Sequence, residues 1–508
     1  MKTRDQIEFG DFQTPDDLAR TVAHVLAQRD IRPAAIIEPT CGLGTILAAA
    51  VRQFPSALVA HGFDINSRYL ELAKDRLAFQ SAGPKLSTQQ ADFFAFDWKS
   101  FFGFAPEPIL VIGNPPWVTA AELSSIQSGN LPVKSNFQKH KGFDALTGKS
   151  NFDIAEWMLM HLLEWLRGRR ATLAMLVKTA VARKVLHHAW RNDLAIANCC
   201  MCRFDSAKHF GVAVDACLFV CDLSPTPTPK ICTIADLSSP NAATQMIGFH
   251  NQSLIADQTA FDELQHLQAN ASEPATYRWR SGIKHDCSKV MELRVQNGLL
   301  YNGLDEQVAI EDTYLYPMLK GSEVANGTVP SRFMIVPQQQ TGQATDPIAA
   351  RAPKTWRYLC DHATALDARV SSIYRNRPRF SIFGIGPYSF APWKVAICSL
   401  YKKLEFSVIG PALGKPVVLD DISYHLSIPT RQQADQIASI LNSETARRFF
   451  NAFIFWDAKR AITVDLLQRL DLMALAEELG IRLQPLDQQI KPRTPRRRPI
   501  PAATTSLF

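Results

Sequence analysis

Ala34-Ala35-Ile36-Ile37-Glu38-Pro39-Thr40-Cys41-Gly42-Leu43-Gly44 reads as a short buried strand that ends on a carboxylate and turns through two glycines into a helix beginning near Thr45. Gly42 and Gly44 let backbone approach a ligand closely at a helix N-terminus, where unpaired N–H groups point outward. The turn is not the G-x-G-x-x-G of dinucleotide binders, because Leu47 stands where the third glycine would be. A nucleoside cofactor without a pyrophosphate therefore fits better than NAD.

The same grammar repeats on either side. Upstream, Thr14-Pro15-Asp16-Asp17 predicts a helix start, with Thr14 as N-cap, Pro15 in the first position and acids in the first turn. Leu18, Val22, Val25 and Leu26 then form one apolar stripe. Downstream, Leu58–Phe63 is a strand ending at Asp64, a helix follows from about Arg68 to Phe79, and a strand near Leu86–Ala91 ends at Asp92. A fourth apolar run, Ile109–Gly113, leads into Asn114-Pro115-Pro116-Trp117. Strands alternating with helices predict an α/β fold with a doubly wound parallel sheet, in which ligands bind at the carboxyl ends of strands. Glu38, Asp64, Asp92 and Asn114 all fall at such ends. Asp64 is placed to accept from both hydroxyls of a ribose, and Asp92 from an adenine amine, with Phe93 against the ring. Each acid alone is as readily a strand-end cap; in series with the tetrapeptide they suggest a site. That tetrapeptide is a clamp for a planar amino group. Asn114 offers a side-chain carbonyl and Pro115 a backbone carbonyl, Pro116 stiffens the next step, and Trp117 supplies a flat face.

At 508 residues the chain exceeds one compact core, and 46% hydrophobic with 20% charged residues is ordinary for a globular protein. No stretch approaches a membrane span, and the N-terminus lacks the apolar region of a secretory signal. The net charge of +7 is compatible with a nucleic-acid partner without being evidence for one. Cys199-Cys200-Met201-Cys202 with Cys217 and Cys221 has a loosely zinc-like look, but Cys217, Phe219 and Cys221 alternate as core residues of a strand do. No metal is expected, and the scattered thiols suit a reducing cytoplasm.

These elements resemble S-adenosyl-L-methionine-dependent amino-methyltransferases of DNA, of the gamma class of adenine-N6 enzymes. Phe12-Gln13-Thr14-Pro15 resembles the family's first element, which there touches the cofactor's methionine end. Glu38–Gly44 resembles its cofactor loop, Phe63-Asp64-Ile65-Asn66 and Ala91-Asp92-Phe93 the next two elements, and Asn114–Trp117 its [N/D/S]PP[Y/F/W] clamp. Ser150-Asn151-Phe152-Asp153 matches a fifth element loosely, and Phe204–Val220 resembles a later β-hairpin, where Phe210 or Phe204 would lie against a flipped base. The resemblance covers roughly residues 9–222. It implies a Rossmann-like class I methyltransferase domain over 1–225, a mixed α+β target-recognition domain over 226–488, and a basic tail over 489–508. It further implies S-adenosyl-L-methionine held by Thr14, Glu38, Pro39, Thr40, Gly42, Gly44, Asp64, Ile65, Asp92 and Phe93. Asn114, Pro115, Pro116 and Trp117 would be catalytic, with Trp117 and Phe210 stacking on the base. The implied partner is double-stranded DNA, bound by a monomer that serves either as the modification half of a restriction–modification system with a separate endonuclease or as an orphan defence-associated enzyme. Competing readings are a cytosine-N4 enzyme, where Ser more often opens the clamp, a glutamine methyltransferase, and a catalytically silent DNA-binding subunit.

The second half is less legible. Ser224–Pro229 is a Pro/Thr-rich break, either a linker or an extended loop. Gly282-Ile283-Lys284 and Leu319-Lys320-Gly321-Ser322-Glu323 resemble two elements of target-recognition domains, which makes Lys284 and Lys320 candidate DNA contacts. In Tyr374–Phe380, Arg375, Arg377 and Arg379 interleave with aromatics, suiting DNA contact or core. Thr430–Phe455 reads as helical, and the basic, proline-rich C-terminus as disordered.

Overall fold

Two compact units divide the computed structural model, Met1–Thr259 and Ala260–Phe508. The structure describes residues 12–78, 83–119, 153–224, 226, 228–273, 275–458 and 460–485. Residues 150–152 of the fifth expected element and the whole basic tail lie outside them.

The first unit runs α1 (Asp16–Gln28), β1 (Ala35–Glu38), α2 (Thr45–Gln53), β2 (Val59–Asp64), α3 (Ser67–Ala78), β3 (Lys85–Gln90), α4 (Trp98–Phe104) and β4 (Ile109–Gly113). It continues with α5 (Ile154–Trp165), β5 (Ala171–Lys178), α6 (Thr179–Arg191), β6 (Ile196–Phe204), α7 (Ser206–Phe210), β7 (Ala216–Leu223), β8 (Cys232–Asp236), β9 (Gln245–His250) and β10 (Ser253–Ile255). All ten strands form one sheet in the order β10-β9-β8-β6-β7-β5-β4-β1-β2-β3. β1 to β5 are mutually parallel and β7 is antiparallel to both its neighbours. The chain therefore winds outward through β2 and β3, then crosses back to β4 on the other side of β1. That reversal opens a crevice at the carboxyl ends of β1 and β4, which pair with Ala35 opposite Ile109 and Ile37 opposite Val111. α1 and α2 cover one face, burying Leu18, Val22, Leu26, Ile46 and Leu47 against Leu110 and Ile112. α4 brings Trp98 and Phe102 into contact at 5.7 Å, with Phe63 4.9 Å from Trp98.

Two expectations change. The sheet does not stop at 225, because β6 pairs in parallel with β8 from Cys199 opposite Cys232 to Arg203 opposite Asp236, so 226–259 belongs to the first unit. Thr14 does not cap α1: Pro15 occupies the cap position with no side-chain hydrogen bond there. Cys217, Phe219 and Cys221 do alternate along β7, fully buried. No helix of the described residues is long and apolar enough to cross a membrane.

The second unit is α+β. β11 (Arg280–Ser281), β20 (Ser423–Ile428), β17 (Trp393–Cys398) and β18 (Ser407–Ile409) make a four-stranded sheet. β14 (Gln307–Val308), β13 (Leu299–Tyr301), β12 (Glu292–Gln296), β16 (Arg332–Ile335), β15 (Leu315–Leu319) and β19 (Val418–Leu419) make a six-stranded one. The stretch expected to be one helix over 430–455 is two, α8 (Arg431–Leu441) and α9 (Glu444–Asn451). They contribute Ile437, Ile440, Leu441, Phe449 and Phe450 to a core with Val395, Ile397 and Leu426.

Candidate active site

An open cleft of about 840 Å³ lies at the carboxyl ends of β1, β2 and β4. It is lined by Thr14, Glu38, Pro39, Thr40, Gly42, Asp64, Ile65, Phe93, Asn114 and Pro116, which the sequence had singled out. Gln13, Tyr69, Phe94, Ile154 and Met158 also line it and were missed as site residues. Phe94 was signalled by its place beside Phe93, and Ile154 and Met158 by the loosely matched fifth element, since they lie on α5, which begins directly after Asp153. Gly44, Asp92, Pro115, Trp117 and Phe210 are not among the lining residues.

The loop after β1 is held from below by β2. Cys41 N–H donates to the Phe63 carbonyl at 2.7 Å, Gly42 N–H to Asp64 Oδ2 at 2.8 Å, and Asn66 N–H to Asp64 Oδ1 at 2.8 Å. A carboxylate has about four acceptor positions, so two backbone bonds fix Asp64 without saturating its chemistry. Gly42 and Gly44 adopt left-handed conformations with φ of +48° and +71°. A Cβ on Gly42 would sit 2.7 Å from Gln13 Oε1, the atom that also accepts from Leu43 N–H at 3.2 Å. Glu38 is buried at the end of β1, where its Oε2 accepts from Leu47 N–H at 2.9 Å. Burial pushes its carboxyl well above the ordinary range, the Leu47 bond opposes this, and the Asp64 charge adds to it.

Asp92 serves the turn, accepting from Phe94 N–H at 2.9 Å, and it is Ala91, Phe93 and Phe94 that face the cleft. That single bond engages one Asp92 oxygen and leaves acceptor positions on the carboxylate. Phe93 is buttressed by Trp98 at 5.2 Å and Trp165 at 5.8 Å, and Phe94 by Trp157 at 5.2 Å.

At the end of β4, both hydrogens of the Asn114 amide are engaged. Nδ2 donates to the Phe12 carbonyl at 2.8 Å and to Thr14 Oγ1 at 3.2 Å. Oδ1 is buried and has no hydrogen-bond partner among the described residues. An unpaired buried acceptor costs about 1–3 kcal/mol, so it marks a position where a donor is wanted. Trp117 is not the bare platform its sequence suggests. It is 2% exposed, donates its indole N–H to the Leu176 carbonyl at 3.1 Å, and packs 6.2 Å from Phe12 and 5.2 Å from Phe210. Behind it, Lys178 Nζ donates to Asp153 Oδ2 at 2.6 Å and to the Trp117 carbonyl at 3.2 Å. The buried Asp153 also caps α5 through Ala155 N–H, and burial raises its carboxyl while Lys178 opposes the rise.

In the second unit the two glycine-bearing elements prove to be packing devices. Gly282 abuts the backbone of Leu419 and Asp420, and Gly321 N–H donates to Asp420 Oδ2 at 3.1 Å. Lys320 is paired with Glu292 at 2.7 Å, Arg379 with Asp367 at 3.0 Å, and Lys284 lies 3.6 Å from Asp286. Arg375 and Arg377 are exposed and make no ion pair among the described residues.

Residues 3–189 match the family model described as N-6 DNA methylase. The chain is 46% identical over 474 residues to the type II methyltransferase M.NspV of Nostoc sp., an alignment that covers 93% of this chain and 98% of that one. It is 30% identical over 119 residues to the type II methyltransferase M.CvrRI of Paramecium bursaria Chlorella virus XZ-6E, covering 23% and 27% of the two chains. Among solved structures, the type IIL restriction-modification enzyme MmeI in complex with DNA aligns with a TM-score of 0.45 at 14% identity, over 95% of this chain and 74% of that one.

Proposed function

The chain belongs to the N-6 DNA methylase family, among its type II methyltransferases, and on that premise we propose that it methylates the exocyclic N6 of one adenine in a specific DNA sequence, with S-adenosyl-L-methionine as donor. The observation that carries this reading is the buried, unpartnered Asn114 Oδ1 beside a glycine-walled cleft.

The cleft suits the cofactor. It is open, and at Gly42 a side chain would collide with Gln13. It has an acid at the end of β2, where ribose hydroxyls are held in sheets of this kind. Bound there, S-adenosyl-L-methionine supplies an activated methyl group. Asp64 receives the ribose hydroxyls, Ile65, Phe93 and Phe94 enclose the adenine ring, and Gln13, Pro39 and Thr40 border the remainder.

Adenine N6 is a weak nucleophile because its lone pair is delocalised into the ring. Asn114 Oδ1 and the Pro115 carbonyl accept its two hydrogens, drawing the amine toward a pyramidal geometry. The same two dipoles, already oriented, stabilise the positive charge that develops during transfer. The amine is otherwise paired within the duplex, so the nucleotide is extruded before reaction. It meets the cluster of Phe12, Trp117 and Phe210, and base–aromatic stacking of this kind contributes about 1–3 kcal/mol. Asn rather than Ser at the head of the clamp favours adenine over cytosine N4. The second unit reads the DNA sequence, with Arg375 and Arg377 as its unpaired phosphate contacts.

Tritiated methyl transfer to unmethylated duplex DNA tests the reading, with sequencing of the product to locate the modified base. Wild type incorporates label at adenine, whereas Asn114→Ala lowers transfer by about 100-fold or more, the scale of removing a preorganised dipole, and still binds duplex. Label at cytosine, or loss of binding together with transfer, sinks the assignment.

A further inference from the structure

We propose that Thr14, with the Phe12 carbonyl, is the positioning element that keeps the Asn114 amide turned with its oxygen toward the target amine; this rests on the adenine reading above. The two ends of a side-chain amide are nearly equal in shape and opposite in function, so surrounding partners decide which way it points. A reversed Asn114 would present two N–H donors to an amine that is itself a donor, and the clamp would repel its substrate. The Phe12 carbonyl accepts only, and takes one Nδ2 hydrogen at 2.8 Å. Thr14 Oγ1 takes the other at 3.2 Å. Reversal would set Asn114 Oδ1 against the Phe12 carbonyl and break that bond; the Phe12 carbonyl thus decides which end of the amide faces inward, and the Thr14 hydroxyl holds the amide plane in place from the other side.

Two further observations place Thr14 in this role. Its side chain is 8% exposed, and it makes no capping bond to α1, although Thr-Pro before a helix is a strong capping sequence. The hydroxyl has thus been diverted from the local partner to one 100 residues away. The neighbouring Gln13 meanwhile holds the glycine loop through Leu43 N–H. One three-residue segment sets both the loop and the amide, and Thr14 supplies the second function. Its effect therefore includes turnover and recognition of the amine at saturating cofactor, beyond any contact Thr14 makes with the cofactor itself.

The test compares Thr14→Val, an isostere without the acceptor, with Thr14→Ser, which keeps it. The duplex carries the target adenine once product sequencing has located it, and a second duplex carries purine, which lacks the amino group, at that position. Wild type serves first as the control: failure to label adenine refutes the functional reading itself, before any variant is made. With that established, kcat for Thr14→Val falls about 5- to 10-fold, the effect of one neutral hydrogen bond. Thr14→Ser stays within about 3-fold of wild type. With S-adenosyl-L-methionine held at saturation for each protein, affinity for the purine duplex matches wild type in both variants, and only the adenine duplex binds Thr14→Val more weakly. Unchanged turnover in Thr14→Val overturns the proposal. So does equal weakening on both duplexes, a loss confined to cofactor affinity, or failure of serine to restore turnover.

Discussion

Single residues carry the chemistry, and here long-range partners overrule local signals. Thr14 has every sequence mark of an N-cap, yet its hydroxyl goes to Asn114. Trp117 looks like an open stacking face, yet its ring lies under Phe12 and Phe210. The identities of Asn114, Asp64 and the loop glycines were legible because backbone chemistry at strand ends restricts which residues serve there. Their partners were not, because those come from other segments: Gln13 lies 30 positions from Leu43 in the loop, and Asn114 lies 100 and 102 positions from Thr14 and Phe12. Glu38 gives a test at this scale. Its folded-state pKa is raised, chiefly by burial, above the ordinary glutamate value of about 4.3. The folded state therefore holds a proton that the unfolded chain has released, and stability falls as pH rises above the ordinary value. Glu38→Gln keeps an acceptor for Leu47 N–H and removes that dependence. In the protein without cofactor, thermal melts from pH 4 to 8 should show the variant gaining on wild type as pH rises; a gap that narrows instead would show that the ionised carboxylate is the favoured form.

Elements were legible where an apolar run ended on a functional residue, as β1, β2 and β4 do. They were illegible where a break depends on tertiary bonds. The periodicity over 430–455 is helical throughout, but Asn442 exchanges two hydrogen bonds with the Phe406 backbone, at 2.9 and 2.8 Å, and Ser443 then caps a new helix. Neither contact leaves a trace in a window of local sequence. The glycine-bearing elements of the second unit made Lys284 and Lys320 candidate DNA contacts, and the packing of their glycines adds a separate expectation. A Cβ at Gly282 would drive into the Leu419 and Asp420 carbonyls. Gly282→Ala should cost about 1–3 kcal/mol, as overpacking does, seen as a lower urea midpoint; an unchanged midpoint would mean that this backbone approach is not needed.

At the scale of the whole molecule, a net charge of +7 says little about where DNA lies, and the positions of individual cations say more. Arg375 and Arg377 are exposed and unpaired among the described residues, whereas Lys320 and Arg379 already have carboxylate partners. If both arginines touch phosphate, the Arg375→Ala/Arg377→Ala double variant lowers the slope of log affinity against log salt by about 2, with the methylated sequence unchanged. A slope equal to wild type removes them from the interface. The domain boundary was misplaced because Ser224–Pro229 looks like a linker, while what decides membership is the pairing of β6 with β8 beyond it. That pairing has a consequence for solubility in a crowded cell. Without β8 to β10, the backbone of Cys199–Arg203 in β6 would be a raw edge, apolar and ready to recruit a neighbouring chain. With them, the sheet ends on one side in a three-residue strand and on the other in β3, whose sequence Lys-Leu-Ser-Thr-Gln-Gln is largely polar and exposed. Both borders are poor templates for aggregation, so β8 to β10 cover an edge that β6 alone would leave open.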